Sequence, residues 1–212
     1  MLSRKISLAV NLLIFALVLA AWLMMTTRVD RHGALSSTGL RSLRYFTVLS
    51  NLLEGIASLV YAIGLIRLLR LGAPLPQGIV TLKYVATVSV ALTFVTVLCF
   101  LGPGYGFDKM YTGANFWMHL VIPVLAMLEL FLLDRDPRLP IGRTFLATAP
   151  MLLYALFYTG NLLMNGMETG GHSNDWYGFA KGGIPMAVLR FLILYLTDWL
   201  LAVLLRLPGV KG

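Results

Sequence analysis

The sequence has few charged residues, and this scarcity excludes most classes of protein. Only 12% of its 212 residues are charged, whereas a typical soluble domain has about 25%. Acidic residues are the scarcest, with nine Asp and Glu against 17 Lys and Arg. An ordinary soluble enzyme, a disordered chain or a coiled coil would carry more charge than this. Because the basic residues lie mostly between long apolar runs, we attribute their excess to orientation in a bilayer and not to nucleic-acid binding.

Motifs for metal and cofactor binding are also missing from the sequence. Its single cysteine, Cys99, lies inside an apolar run, so no internal disulfide can form. The three histidines, His32, His119 and His172, are scattered, and their spacing fits no metal site. No Gly-x-Ser-x-Gly motif, P-loop or dinucleotide-binding fingerprint is present. We therefore predict no metal, no cofactor and no nucleic-acid partner.

Long apolar segments are what the sequence has in abundance, with 58% hydrophobic residues and a mean hydropathy of +0.82. A helix needs about 20 apolar residues to cross the hydrocarbon core of a bilayer. Six segments approach or exceed that length: 6–25, 46–66, 79–101, 116–133, 145–164 and 184–205. Runs such as 12–19 are apolar on every side, which excludes the alternating strands of a barrel. The sequence predicts an all-α integral membrane protein, a single six-transmembrane-helix bundle with short loops over residues 1–212.

The distribution of Lys and Arg predicts how this bundle is oriented. Ten of them lie on the side of the N-terminus and six on the opposite side, which favours both termini in the cytoplasm. The two longest loops, 26–45 and 165–183, are then external. The first segment is longer than the apolar region of a signal peptide and lacks a small-residue cleavage site, so we predict that it is retained.

Ionisable residues inside the predicted helices are the first candidates for function, because a charge at membrane depth is costly. They are Glu54, His119, Glu129, Arg190 and Asp198. Asp198 lies toward the cytoplasmic end of the sixth segment. For this residue, pairing with an interfacial basic residue is at least as good an explanation as a functional role.

A polar stripe follows one face of the second segment. Thr47, Asn51 and Glu54 are spaced at i, i+4 and i+7, and Ser58 continues the stripe. For Asn51 and Ser58 we favour contact between helices. The second and fourth segments both begin on the external side, so Thr47 and His119 are predicted at similar depth. A neutral imidazole can activate a threonine hydroxyl, and the topology permits this pair to meet.

Three blocks of the sequence together resemble the androgen-induced and androgen-dependent multi-pass membrane proteins, most closely their bacterial members. The blocks are Phe46-Thr47-Val48-Leu49-Ser50-Asn51, then His119 with Pro123 and Glu129, then Trp176-Tyr177-Gly178-Phe179 followed by Gly182-Gly183-Ile184-Pro185. The resemblance implies a hydrolase that cleaves fatty acid esters of hydroxy fatty acids. It implies Thr47 as the nucleophile, His119 as its general base, a lipid substrate taken from the bilayer and a bacterial inner membrane as the location.

Other polar residues are candidates to bind the substrate of such a hydrolase. Arg44, together with Arg41, lies just before Thr47 and can hold a carboxylate, although anchoring in the interface is the commoner role of such arginines. Asn51 and Asn161 are the candidate donors to an oxyanion. The sequence predicts no oligomeric state.

The remaining charges allow a competing hypothesis. Glu54 is expected either to orient His119 or to pair with Arg190 inside the bundle. Glu129 follows His119 by ten residues, which places it about 15 Å deeper and too far away to orient the ring. The alternative to a hydrolase is a non-enzymatic transporter or structural membrane protein with a buried network of Glu54, Glu129 and Arg190.

Overall fold

The computed structural model describes residues 2–27, 39–133, 139–169 and 172–207. His32 and most of the 26–45 loop lie outside these residues, and so does the side chain of His172. Within the described chain, six helices are long and apolar enough to cross a membrane: α1 (Leu2–Thr26), α2 (Phe46–Leu71), α3 (Gln77–Tyr105), α4 (Ala114–Leu132), α5 (Gly142–Asn165) and α6 (Ile184–Arg206). Each overlaps one predicted segment. The prediction of an all-α, six-helix, multi-pass membrane protein is confirmed.

Glycine and proline set several of the helix ends. Helix α2 ends at Leu71 because Gly72 adopts a φ of 66° and donates its N–H to the Leu68 carbonyl. Helix α6 begins with Pro185 in its first turn, where the missing N–H removes no helical hydrogen bond. Helix α5 is interrupted at Thr148, between Gly142–Ala147 and Ala149–Asn165.

Two helices contain a π-helical turn near the same end of the bundle. In α3 the α-helix Gln77–Thr96 continues as the π turn Val97–Leu101 and then the single turn Gly102–Tyr105. In α4 the short turn Ala114–Phe116 leads into the π turn Trp117–Val121 and then the α-helix Ile122–Leu132. A proline, Pro103 or Pro123, follows each π turn by two residues and cannot donate the usual helical N–H. Such π turns are frequent at functional sites.

Helix α3 lies at the centre of the bundle and α6 at its edge. Helix α2 packs between α1 and α3, and α3 also contacts α4, α5 and α6. The contact between α1 and α2 is close at Gly55, where a Cβ atom would lie 2.9 Å from Val18 Cγ1. Of its most apolar stretch, α3 buries 56% and α6 only 17%. Most of the α6 side chains therefore face the lipid.

The connecting segments that matter for function cluster at one end, which we call the loop end. There α1, α3 and α5 finish and α2, α4 and α6 begin. It carries the 3₁₀ helix Gly39–Arg44, the short helix Phe107–Met110 and the peptide between α5 and α6. That peptide contains a minimal antiparallel hairpin of β1 (Glu168–Thr169) and β2 (His172–Ser173).

Candidate functional site

A cavity of about 170 Å³ lies at the loop end, beneath the peptide that joins α5 to α6. Its walls are formed by Tyr45, Thr47, Leu101, Tyr105, Met110, His119, Trp176 and Tyr177. The structure therefore brings Thr47 and His119 to the wall of one cavity, from helices far apart in the sequence. We call it the Thr–His cavity.

Thr47 is held at the very start of α2. It is the second residue of that helix and is 6% exposed. The backbone N–H of Phe46 donates to the Tyr177 hydroxyl at 3.0 Å, and the Thr47 side chain interacts with the same oxygen. Tyr177, in the peptide between α5 and α6, thus satisfies a free amide at the helix N-terminus. It also places a phenol beside the Thr47 hydroxyl.

Tyr177 keeps its proton over the whole physiological range. Burial raises the pKa of its phenol to about 12, and hydrogen bonds from Thr47 and Phe46 oppose that rise. The ring packs against Tyr45 edge to face and stacks on Tyr158. A protonated phenol whose oxygen already accepts a hydrogen bond still has one O–H to donate into the cavity.

His119 lies in the π turn of α4 and is 2% exposed. Its Nδ1 lies 2.8 Å from the Met110 carbonyl oxygen. A carbonyl can only accept, so Nδ1 carries the proton and Nε2 has a free lone pair. This backbone bond suits a purely structural histidine, and it also fixes the tautomer that a general base requires.

Asn51 connects the two turns that carry these side chains. Its amide Nδ2 donates to the Thr47 carbonyl at 2.7 Å and to the Met118 carbonyl at 3.1 Å. The expected contact between helices is therefore present. Both amide hydrogens are used in this way, so the expectation that Asn51 donates to an oxyanion is wrong.

Asn161, the other predicted oxyanion donor, lies elsewhere. Its side-chain oxygen accepts a hydrogen bond from Asn165 at 2.9 Å near the end of α5. It is not among the residues that form the described walls of the Thr–His cavity. Tyr177 takes its place, because its hydroxyl interacts with the Thr47 side chain, and the sequence signals this only through the aromatic block 176–179.

Arg44 lies at the rim of the cavity and is half-buried. Its guanidinium carbon is 5.0 Å from the centre of the Tyr45 ring and 5.7 Å from that of Trp176, and both rings line the cavity. Its Nη2 donates to the Tyr45 hydroxyl at 3.0 Å. The neighbouring Arg41 is exposed. One cation is therefore fixed beside the opening of the site.

Two tyrosines of α5 hold the peptide over the cavity, and sequence reasoning missed both. The Tyr154 hydroxyl donates to the Arg44 carbonyl at 2.7 Å and accepts from Trp176 Nε1 at 3.0 Å. The Tyr158 hydroxyl donates to Asp175 and accepts from the Tyr177 amide at 3.2 Å. Their i, i+4 spacing on one face of α5 was the signal that could have revealed them.

Arg190 belongs to the same support and not to a charge network. Its Nη1 donates to the carbonyls of Gly178 at 2.8 Å and Phe179 at 2.6 Å. The expectation that it pairs with Glu54 is therefore wrong. The reason is that the peptide before α6 folds back over the first turns of that helix and offers its carbonyls to the guanidinium.

Glu54 binds Lys83 instead of Arg190 or His119. The two form an ion pair, and both side chains are fully buried. Ser58 donates to the Glu54 carboxylate at 3.0 Å and Thr87 does so at 3.2 Å. In the count of Lys and Arg that predicts the orientation, Lys83 is one of the ten residues on the N-terminal side. That assignment is wrong, because Lys83 is 0% exposed inside α3.

Glu129 completes this group on the other side of Lys83. Its Oε2 is 3.9 Å from Lys83 Nζ, and its Oε1 accepts hydrogen bonds from Ser7 and Asn11 of α1. We call Glu54, Lys83 and Glu129 the charge cluster. It lies deeper than the Thr–His cavity, since Glu54 follows Thr47 by seven residues, or about 10 Å along a helix.

Asp198 is fully buried inside the bundle. It is 0% exposed, and neither carboxylate oxygen has a hydrogen-bond partner within the described residues. The nearby Arg206 donates its Nε to the Leu139 carbonyl at 2.8 Å. The expected pairing with an interfacial basic residue is not found in the part of the chain that the structure describes.

The site combines several kinds of polar side-chain group. It offers a hydroxyl, an imidazole with a free nitrogen, a phenol and a guanidinium around one cavity. Among the described residues no group of three or more His, Cys, Asp or Glu side chains is placed to hold a metal ion. Comparison of the chain with protein-family models, curated proteins and solved structures gives no match.

Proposed function

We propose that this protein is an intramembrane hydrolase of lipid esters, with Thr47 as nucleophile and His119 as general base. One observation carries the proposal: both side chains line the same cavity, and His119 is held with Nε2 free. The resemblance of the sequence to the androgen-induced and androgen-dependent family favours fatty acid esters of hydroxy fatty acids as substrates.

The proposed reaction has two halves. His119 Nε2 takes the proton of the Thr47 hydroxyl while the oxygen attacks the ester carbonyl. The resulting tetrahedral intermediate expels the alcohol, which receives the proton from His119, and an acyl-threonine remains. A water molecule then attacks the acyl-threonine with His119 again as base, releases the fatty acid and restores Thr47.

Tyr177 is the proposed donor to the negative oxygen of the intermediate. Its hydroxyl oxygen is fixed by the Phe46 amide, so the O–H needs no reorganisation when charge develops. Its raised pKa keeps that proton in place at neutral pH. Asn51 is assigned a positioning role, because its amide holds the Thr47 turn against the Met118 carbonyl next to His119.

Arg44 is the proposed partner of a carboxylate on the substrate. A fatty acid ester of a hydroxy fatty acid carries a free carboxylate on its alcohol part. The guanidinium lies at the cavity rim on the Tyr45 and Trp176 rings. The guanidinium belongs to neither of the ion pairs among the described residues, so its charge is available to a substrate carboxylate.

The proposed location is a bacterial inner membrane, with both termini in the cytoplasm and the loop end outside. Without the buried Lys83, nine Lys and Arg on the N-terminal side still exceed the six on the other side. A membrane-impermeant maleimide tests this orientation in intact cells of a Cys99→Ser background. Lys109→Cys should be labelled and Arg70→Cys should not; the reverse pattern would invert the proposed topology.

Hydrolysis is tested directly on the purified protein in detergent. Wild type, Thr47→Ala and His119→Ala are compared on a fatty acid ester of a hydroxy fatty acid and on an activated serine-hydrolase probe. Thr144→Ala is the matched control, because Thr144 is also fully buried in a helix but binds only the Ile141 carbonyl. Wild type and control should cleave and label, and the two site variants should do neither. Equal activity in Thr47→Ala would refute the proposal.

The charge cluster supports a second candidate function, namely transport or a structural role. Its three ionisable side chains are at most 1% exposed and lie apart from the walls described for the Thr–His cavity. Reconstituted protein with a pH-sensitive dye inside the vesicles separates the two candidates. A transporter would move protons and lose the flux in Glu54→Gln, with Thr47 dispensable. The hydrolase would cleave its ester without any flux.

A further inference from the structure

Thr47 lies on the boundary between two cavities. Besides the Thr–His cavity it lines a second one of about 40 Å³, which we call the inner cavity. The walls of the inner cavity are mostly apolar and come from α2, α3, α5 and α6, with Phe46, Leu92, Met151 and Leu194 among them. The two cavities differ in chemistry, since His119 lines the first and Arg44 lies beside it, whereas the described walls of the second are mostly apolar and include no ionisable side chain apart from tyrosine.

One buried residue, Met151, separates the inner cavity from the lipid-facing side of the bundle. Met151 lines both the inner cavity and a groove of about 360 Å³ between α5 and α6. The groove is lined by Ala155 and Phe191, and by Leu152 and Leu192 at its lipid-exposed edge. Methionine is flexible and adapts its shape to a neighbour, so its side chain can move aside between the two spaces.

The chemistry of ester cleavage decides which part of a substrate occupies which cavity. His119 returns the proton to the leaving oxygen, so the alcohol part must lie on the His119 side of Thr47. The acyl carbon becomes bonded to Thr47, and its chain must leave on the opposite side. We infer that the fatty acyl chain of the ester lies in the inner cavity and extends past Met151 into the groove between α5 and α6, through which it enters from the bilayer.

This assignment rests on the proposed hydrolase function and adds a source of selectivity to it. The alcohol part meets Arg44 and the polar walls, whereas the acyl part meets walls that are mostly apolar and hold no formal charge. The length of acyl chain accepted is then set by Met151 and by the groove, and short acyl groups end before they reach either. A hydrophobic pocket gains about tenfold or more in kcat/KM for each well-placed methylene group.

The test uses esters of one alcohol with acetyl, octanoyl and palmitoyl groups. Ala155→Trp fills the groove, and it should lower the ratio of palmitoyl to acetyl cleavage at least about tenfold. Met151→Ala widens the connection and should raise the same ratio. Leu153→Trp is the matched control, since it adds the same ring to the lipid-facing side of α5 outside the groove. It should leave the ratio unchanged.

Two different failures can be distinguished. If Thr47→Ala cleaves acetyl esters as fast as wild type, the hydrolase proposal itself falls. If Thr47 is required but Ala155→Trp and Met151→Ala keep the wild-type chain-length ratio, only the acyl assignment falls. Because the readout is a ratio, partial loss of folded Ala155→Trp protein does not affect it, and Met151→Ala provides the opposite expected shift.

Discussion

The Thr–His cavity and the charge cluster are both polar regions in an apolar helix bundle, but they differ in how far their polar groups are paired. In the cluster, Lys83 is shared by Glu54 and Glu129, and hydroxyl and amide groups of three helices donate further hydrogen bonds to the two carboxylates. In the cavity, His119 uses one nitrogen on a backbone carbonyl and keeps the other free. The charges of the cluster are therefore directed at one another, whereas the cavity holds groups with unused bonding capacity beside empty space.

This difference teaches where to look for chemistry inside a membrane protein. Charge at membrane depth is a weak guide, because opposite charges can satisfy each other and become part of the helix packing. A polar group that is fixed by one bond and open on its other side is a stronger guide. By that criterion the neutral pair of Thr47 and His119 ranks above the three formal charges of the cluster.

The largest expected effect comes from removing one oxygen atom in the cavity. Thr47→Val keeps the shape of the side chain and should lower kcat at least about 10³-fold, because the proposed nucleophile is lost. Thr47→Ser keeps the hydroxyl and should retain most of the activity. Single-turnover hydrolysis measures both variants, and unfolding by SDS titration should show little difference between them. A fully active Thr47→Val protein would show that Thr47 takes no part in ester cleavage.

The cluster should respond in the opposite way, through stability and not through the reaction. Lys83→Met leaves the Glu54 carboxylate buried without its cation and should cost about 3–5 kcal/mol of unfolding free energy. The double variant Lys83→Met with Glu54→Gln should recover much of that loss. SDS titration followed by tryptophan fluorescence measures the difference. Folded Lys83→Met protein that lost ester cleavage completely would assign the cluster a part in the reaction.

Sequence patterns predicted the helices and the depth of the pair because both depend on local rules. Apolar length gives six helices, and the alternation of direction along the chain places Thr47 and His119 at the same end. The i, i+4 relation between Thr47 and Asn51 likewise predicted a contact between helices. These features need no knowledge of how each helix is rotated about its axis.

The partners of Glu54 and Thr47 could not be predicted, because they depend on rotation and on loop folding. Lys83 falls near the start of an apolar segment, where a lysine normally reaches the interface, and only the central position of α3 buries it. Tyr177 lies in a peptide whose sequence has no helical or strand periodicity. Hydrogen bonds to Tyr154, Tyr158 and Arg190 hold this peptide over the cavity. A short aromatic block gives no indication of which ring will face Thr47.

Tyr177 provides an intermediate effect that sharpens the comparison. Tyr177→Phe keeps the ring and removes the donor, so kcat should fall about 10²–10³-fold with little change in KM. Because the phenol pKa is raised from its ordinary value of 10.0 to about 12, the wild-type rate should stay level as pH rises through 10. The native state then binds more protons than the unfolded state between these two values, so stability should decrease as pH rises there. A Tyr177→Phe protein with the kcat of wild type would remove the phenol from the reaction.

Arg44 gives the smallest effect and contrasts most directly with Lys83, since the two are cations in the two regions. Arg44→Gln should raise KM about tenfold for a substrate with a free carboxylate, the loss expected for one partly exposed charge-assisted contact. The methyl ester of the same substrate carries no charge there, and its KM should not change. Unfolding in SDS should also change little, because Arg44 is half-buried and has no acidic partner among the described ion pairs. If KM rises equally for both substrates, Arg44 acts by holding Tyr45 and Trp176 in place and not by binding charge. Its role would then be structural, as that of Lys83 is.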